Sequence, residues 1–420
     1  MKRAGLIVTI VFGLLALIGG FAATTVALDI TQPAISGSHA TVYFTVNKGD
    51  TTASVANHLA QDGLVRNATL FRLWARYRHL DRGIEPGVYK LSPGMTMDAI
   101  IKDLQKGKPD EVTVQVMDSS RIEQYPAYFA DLKNFNAANF LKIAKTGKLL
   151  SNGQALSSVY WYVMPPQAHT VNALEGYLYP DTYQVDAKSN EEDVINTMLK
   201  EFGENLCPGP DAAHKDAYIL DPAQCKAHAV SVGGKTQVNI FTALEQKYGT
   251  KDDRQALYDA LTLGSIVTRE TPSFDPTRPD TQGIANVYYN RYLIAAGRLD
   301  SGSSGLGIII QADPTVQYAR DTDSPPKDGN YWTVLNDNPA NIDPNNPYNT
   351  YVAANPGLPP GPIAAPVWVV LAAAADPNPD GPTPNFYFLN DTCSGHHTHF
   401  AANNNDFEAL KQKYLVQKQC

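Results

Sequence analysis

The sequence predicts an α+β protein in three parts: an N-terminal transmembrane helix, a small α+β domain and a larger mixed α+β domain. Three observations predict it. After Met1-Lys2-Arg3 the chain runs uncharged from Ala4 to Leu28. Next, strand-like and helix-like apolar patterns alternate on a short cycle. Beyond that, longer helical periodicities are separated by turn-rich stretches and isolated strand signals.

The first segment, "AGLIVTIVFGLLALIGGFAATTVAL", is long enough to cross a hydrocarbon core of about 30 Å as a helix. A cleaved signal peptide is the alternative, since small residues follow, but a signal h-region spans roughly 7–15 residues and this run is longer. Lys2 and Arg3 are the basic residues beside the segment, which places the N-terminus in the cytoplasm and all that follows on the outer side. The expected location is therefore the cell membrane, single-pass.

A Ser-, Gly- and Pro-containing linker over 29–40 leads into "TVYFTV", which alternates as a half-buried strand does. "KGDTTASVANHLAQDG" then reads as a helix capped by Thr51 or Thr52, with Val55 and Leu59 on one face and a stop at Gly63. A second helix carries Leu70, Phe71, Trp74 and Tyr77. The strand "GVYKL", a Pro-Gly turn, a Thr96 cap and the apolar series Met97, Ile100, Ile101 and Leu104 repeat the phrase. The small domain is placed at 41–111, as a βααβ unit followed by αβ.

The larger domain is placed at 112–420. In it "EGYLYPDTYQV" suggests a turn into a strand, and "EDVINTMLKEFGENL" an amphipathic helix with Val194, Met198 and Phe202 on one face. Residues 203–236 read as a surface insertion bracketed by Cys207 and Cys225. On the outer side of a membrane the four cysteines suit disulfides, and the expected pairs are Cys207 with Cys225 and Cys393 with Cys420.

The chain has 420 residues, 43% hydrophobic and 18% charged, which suffices for two or three ordinary domains. Its net charge of −8 is dispersed, and no basic run alternates with aromatics. Nucleic acid is thereby excluded as an expected partner.

The segment "DRQALYDALTLGSIVTRETPSF" reads as a helix from Asp253, stopped by Pro272. Glu270 lies three, four and seven positions after Val267, Ile266 and Leu263, on the stripe that should face the core. Burial there would hold the carboxyl protonated, as a general acid for glycosidic oxygen must be. Fraying of the helix or pairing with Arg269 are the structural alternatives.

Between Asp321 and Pro366 Pro, Asn, Asp and Gly dominate, with Tyr331, Trp332, Tyr348 and Tyr351 interspersed. A long ordered loop of this kind suggests function, and ring faces among amides suit sugars. Gln311, Asp313, Tyr348, Asn349, Thr350 and Tyr351 are the candidates for substrate contact. Each could instead be turn chemistry or scaffold.

His396, His397 and His399 cluster, and alternate residues on a strand face one way, so zinc deserves a weighing. No third ligand completes the set, and no metal site is assigned. "SGSSG" lacks any nucleophile-elbow context and reads as a flexible stretch.

The wording of the chain then adds a resemblance. "VNKGDTTASVANHL" resembles a LysM module, a small fold that holds chitin-like glycans. "GSIVTRET" resembles the "ASIIEKET" motif of the MltG or YceG-like family of endolytic peptidoglycan transglycosylases, whose second Glu is catalytic and falls on Glu270. "LEGYLYPDTY" lies upstream, and "NVYYNRY", "IQADPTVQY", "YNTYV", "GLPPGPIAAP" and "NFYFLN" follow in the family's order. The resemblance spans nearly the whole chain. It implies a LysM-like small domain, a catalytic larger domain, peptidoglycan glycan strands as substrate, association with peptidoglycan synthases, and no cofactor. The implied reaction cleaves the β-1,4 bond from N-acetylmuramic acid to N-acetylglucosamine, leaves a 1,6-anhydro end, and uses Glu270 as acid and then base.

The departures are specific. Thr268 stands where the family motif often has its first Glu, two residues from Glu270 and so on a different helix face. "GHHTHF" leaves open whether His397 or His399 fills the family's histidine position, and "AAGRLDSGSSGLGII" is an insertion. A muramidase-type hydrolase using Glu270 and Asp313 is the nearest alternative, since a hydrolase normally needs a second carboxyl. A non-catalytic glycan-binding membrane anchor is the other.

Overall fold

A computed structural model of the chain describes residues 30–35, 42–46, 50–78, 84, 87–105, 111–209, 219–233, 237–271, 280–377, 384–392 and 397–418. The segment 1–28, most of the 29–40 linker, the Cys393–Cys420 pair, His396 and Pro272 lie outside them. Among the described residues no helix is long and apolar enough to cross a membrane. The fold is α+β, with helices and, among the described residues, four two-stranded sheets. The chain forms two compact units, one comprising Met1–Thr113 with Gln184–Lys188, the other Val114–Tyr183 with Ser189–Cys420.

In the first unit β1 (Val42–Val46) pairs antiparallel with β2 (Gly87–Leu91), setting Phe44 opposite Tyr89. Helices α1 (Thr52–Gln61), α2 (Ala68–Tyr77) and α3 (Met97–Gln105) complete it. The period-2 and period-3.6 stripes meet in one core of Phe44, Tyr89, Leu59, Phe71, Ile100 and Leu104, among others. Thr51 is the cap of α1: its hydroxyl accepts from Ser54 N–H at 3.1 Å, and Ser54 Oγ accepts from Thr51 N–H at 3.0 Å. The α1 backbone ends in a left-handed Gly63, φ +69°. Tyr77 leaves the expected stripe. As the last residue of α2 it is 69% exposed and stacks on Trp74 with centroids 5.1 Å apart. β3 (Glu111–Gln115) pairs not with this hairpin but with β4 (Thr182–Asp186).

The second unit contains α4 (Ala137–Thr146), α5 (Glu191–Leu206), α6 (Ile240–Tyr248), α7 (Asp253–Glu270), α8 (Asp280–Ala295), α9 (Asp313–Asp323) and α10 (Trp368–Ala375). The hairpin β5 (Tyr387–Asn390) and β6 (Thr398–Ala401) follows, then α11 (Asn404–Lys411). Helix α7 packs against α6, α8 and α10, and its residues from Ala260 to Thr268 are all buried. Small residues make this possible: Gly264 faces Ala374 and Leu371 of α10. Gly283 lets α8 approach β6 closely, because a Cβ there would collide with the Phe400 ring.

The stretch read as a surface insertion is more integrated than expected. Cys207 and Cys225 form a disulfide across an 18-residue separation. Cys207, Ile219, Cys225 and Val232 are buried among mostly exposed neighbours, so the bridge sits inside a small packed patch. The Pro- and Asn-rich loop after α9 is ordered by its own side chains. Asn349 Nδ2 donates to Pro339 and Ile342 carbonyls, and Asn355 Nδ2 to those of Asn346 and Asn349.

Candidate active site

Helix α7 starts at Asp252, whose carboxylate accepts from Arg254 and Gln255 N–H groups, and finishes at Glu270. Thr271 closes it by returning both its N–H (3.0 Å) and its hydroxyl (2.7 Å) to Val267 O. Leu263, Ile266 and Val267 are fully buried. Glu270 is therefore the point where the buried stripe emerges. It is half-buried and lines a cleft of about 280 Å³ with Tyr288, Arg291, Gln311, Asp313 and Tyr351, to which Tyr387, Phe388 and Phe407 add aromatic rings.

Burial pushes the Glu270 carboxyl up to about 7, with the Asp313 charge acting the same way. The Tyr288 hydroxyl, donating to Oε1 at 2.7 Å, and the Arg291 and Arg269 charges pull in the opposite direction. Dehydration prevails. The carboxyl thus holds its proton near neutrality while remaining open to a cleft.

Asp313 is the first residue of α9, and its Oδ1 accepts from Tyr351 hydroxyl at 2.5 Å. Its placement depends on Thr350, whose Oγ1 accepts from Ala312 N–H at 3.1 Å and lies 2.8 Å from Thr315 Oγ1. Gln311 enters with a left-handed φ of +55° and gives its N–H to Thr350 O. Arg291 ties the two walls together. Its guanidinium donates to Ile310 O at 2.7 Å, Gln311 O at 3.1 Å and Phe386 O at 2.8 Å.

Of the residues the sequence nominated, the structure brings Glu270, Gln311, Asp313 and Tyr351 to one cleft. It does not bring Tyr348, Asn349 or Thr350 there. Tyr348 is buried against Tyr318 with ring centroids 4.9 Å apart, Asn349 holds the loop from within, and Thr350 supports the Asp313 turn. Four consecutive residues in a turn point different ways, and only Tyr351 points to the cleft. Trp332 and Tyr331 also serve elsewhere. Trp332, at φ +69°, carries the Arg269 guanidinium 4.2 Å above its ring, and Tyr331 lies 4.8 Å from Arg121.

Thr268 is buried and its hydroxyl lies 3.2 Å from Ser119 Oγ, away from the cleft lining. His399 Nε2 is 3.0 Å from Asp391 Oδ2, and its ring stacks on Tyr414; His397 turns its Nδ1 to the same oxygen at 3.7 Å. Neither histidine lines the cleft. Among the described residues no group of His, Cys, Asp and Glu is arranged to hold a metal ion.

Tyr288 and Arg291 are the residues that sequence reasoning missed. Both lie in "NVYYNRY", three positions apart and hence on one face of α8. An arginine inside a buried helix is the signal that could have drawn attention to them.

The fold and cleft define an α+β protein with two carboxyls in one cleft, each bonded by a tyrosine, one at the end of a buried helix and the other at the start of α9. The chain belongs to the YceG-like family, which matches residues 44–413. It is similar to an endolytic murein transglycosylase of Bacillus subtilis (strain 168), 25% identical over 395 residues, covering 93% of this chain and 89% of that protein. An endolytic murein transglycosylase of Streptococcus pneumoniae serotype 2 (strain D39 / NCTC 7466) is 22% identical over 428 residues. That match takes in 99% of this chain, which spans 66% of the pneumococcal protein's length. A crystal structure of a YceG-like protein from Listeria monocytogenes matches with a TM-score of 0.47 at 22% identity, over 88% of this chain and 99% of that one.

Proposed function

We propose that this protein is an endolytic murein transglycosylase, anchored in the cell membrane by residues 1–28, that cuts nascent glycan strands on the outer side. The observation that carries this reading is Glu270: a carboxyl raised to about 7, open to a cleft, with Tyr288 on one oxygen only. The names of the relatives give the substrate class.

In this reading Glu270 gives its proton to the leaving glycosidic oxygen as the bond to the muramic C1 breaks. The muramic 6-hydroxyl attacks C1, forms the new C1–O6 bond and returns its proton to Glu270. No water is consumed and no cofactor takes part. One carboxyl suffices, and Asp313 supplies negative charge opposite it as positive charge develops on the sugar.

The LysM-like reading of the small domain, as a holder of glycan, is supported by a groove of about 400 Å³ lined by Thr51, Thr52, Thr69, Arg72, Leu73 and Arg76. Hydroxyls and arginines beside the exposed Leu73 suit a sugar with acidic substituents. Peptidoglycan synthases, which deliver uncrosslinked strands, are the fitting partners.

Asp313 also favours a second reading, a muramidase-type hydrolase in which that carboxyl activates water. The product decides. Wild type and Glu270→Gln are compared on uncrosslinked glycan strands, with mass analysis of the new ends. The expected result is 1,6-anhydro-muramic ends from wild type alone; reducing muramic ends would replace the transglycosylase with the hydrolase.

A further inference from the structure

Tyr288 occupies one of the two oxygens that a carboxyl has for proton exchange. Its hydroxyl donates to Glu270 Oε1 at 2.7 Å, and among the described residues no hydrogen bond is made to Oε2. The phenol has little freedom to leave. Its ring is buried, meets Phe388 edge to face at 5.8 Å and 73°, and lies 5.4 Å from the Arg291 guanidinium. Arg291 is itself fixed by three backbone carbonyls from both walls of the cleft. A donor held this firmly costs no reorganisation when charge appears on its partner.

We propose that Tyr288 is a positioning residue for proton transfer: by holding Glu270 Oε1 it directs the exchanged proton to Oε2 and stabilises the carboxylate formed as the glycosidic bond breaks. This rests on the transglycosylase reading of Glu270. In the first step the O–H bond at Oε2 breaks and the proton goes to the leaving oxygen. In the second step the proton of the attacking 6-hydroxyl returns to Oε2. The phenol keeps its own proton throughout, and its hydrogen bond strengthens while Glu270 is charged.

The groups facing Glu270 come from four places. Tyr288 and Arg291 lie on α8, Arg269 on α7 itself, Asp313 on α9 and Tyr351 on the loop beyond. Of these, Tyr288 is the one that the structure shows hydrogen-bonded to the carboxyl. Arg291 directs Nε and Nη1 to backbone carbonyls, and Tyr351 gives its hydroxyl to Asp313. Removing the Tyr288 hydroxyl removes a contact that favours the ionised form, so the carboxyl should hold its proton to higher pH.

The test is Tyr288→Phe, which keeps the ring, measured on uncrosslinked glycan strands beside wild type and Glu270→Gln. A hydrogen bond to a charged group is worth about 1.5–3 kcal/mol, so kcat should fall roughly ten- to hundredfold. KM should stay within about twofold, and the basic limb of the kcat/KM profile should move up by about one pH unit. Thermal melting gives the folded fraction. A merely structural role would scale kcat with that fraction and leave the limb in place. An unshifted limb with kcat per folded molecule unchanged, or an effect on KM alone, overturns the proposal. The two readings separate: an active wild type with an inactive Glu270→Gln keeps Glu270 as the acid even where Tyr288→Phe behaves as wild type. A wild type without turnover sinks both.

Discussion

Glu175 and Glu270 sit in the same compact unit, and burial pushes both carboxyls above the usual range, yet their surroundings are opposite. Glu175 is 1% exposed and saturated with donors: Ile122 N–H at 3.1 Å, Asn172 Nδ2 at 3.2 Å and Tyr318 hydroxyl at 3.1 Å. The Arg121–Glu123 pair adjoins it, with the Arg121 guanidinium 4.2 Å from the Tyr318 ring. Glu270 has, among the described residues, one hydrogen-bond donor, and it opens on a cleft. The difference teaches that a raised carboxyl marks burial, and that access with an uncommitted oxygen is what makes it a candidate acid. Glu175 belongs to "LEGYLYPDTY", so a phrase that resembles a family motif can be scaffold as readily as site.

The strongest way to break this contrast is to neutralise each glutamate. Glu270→Gln should lower turnover more than about a thousandfold, since in the proposed reaction Glu270 is the acid. It should not lower stability. The folded-state value of about 7 lies above the ordinary 4.5, so the fold favours the protonated form, and that advantage fades as pH rises from about 4.5 through 7. Wild type therefore loses stability over that window and the amide does not. Melting at pH 8 should find Glu270→Gln at or above wild type, and at pH 4 the two should coincide. A variant that melts lower at both pH values would make Glu270 a structural residue.

Glu175→Ala should do the reverse. It leaves the buried Ile122 N–H and Tyr318 hydroxyl without an acceptor, while Asn172 Nδ2 keeps Glu123 Oε1, and it opens a void, a loss of about 3 kcal/mol or more in denaturant unfolding. Turnover per folded molecule should stay within about twofold of wild type. Loss of turnover at full stability would erase the contrast, because Glu175 would then act on the chemistry.

The sequence disclosed these regions unequally, for physical reasons. Glu270 was legible because a 3.6-residue period continues from Leu263 through Ile266 and Val267 to the end of α7. The first unit was legible for the same reason, its stripes and caps being local, although Tyr77 slipped out where its helix ended. Tyr288 was not legible. It meets Glu270 from 18 residues away, and α8 buries polar and apolar residues on all sides, so no stripe singles it out. The run Tyr348-Asn349-Thr350-Tyr351 was legible as important but not as to direction, because an irregular loop has no period. The pairing of β3 with β4 is likewise a tertiary fact, made across some 70 residues.

The mildest perturbation tests the scaffold behind the cleft. Thr350 was a candidate for sugar contact, and it is 1% exposed, with its hydroxyl committed to Ala312 N–H and Thr315. Thr350→Val keeps the shape and removes that acceptor, leaving a buried N–H unpaired at the start of α9, a loss of about 1–2 kcal/mol. The turn that presents Asp313 should loosen, and kcat/KM should fall by about threefold to tenfold. Thr350→Ser, which restores the hydroxyl, should recover most of both. Were Thr350 a direct sugar contact, Thr350→Val would raise KM at unchanged stability, and denaturant unfolding beside the kinetics distinguishes the two.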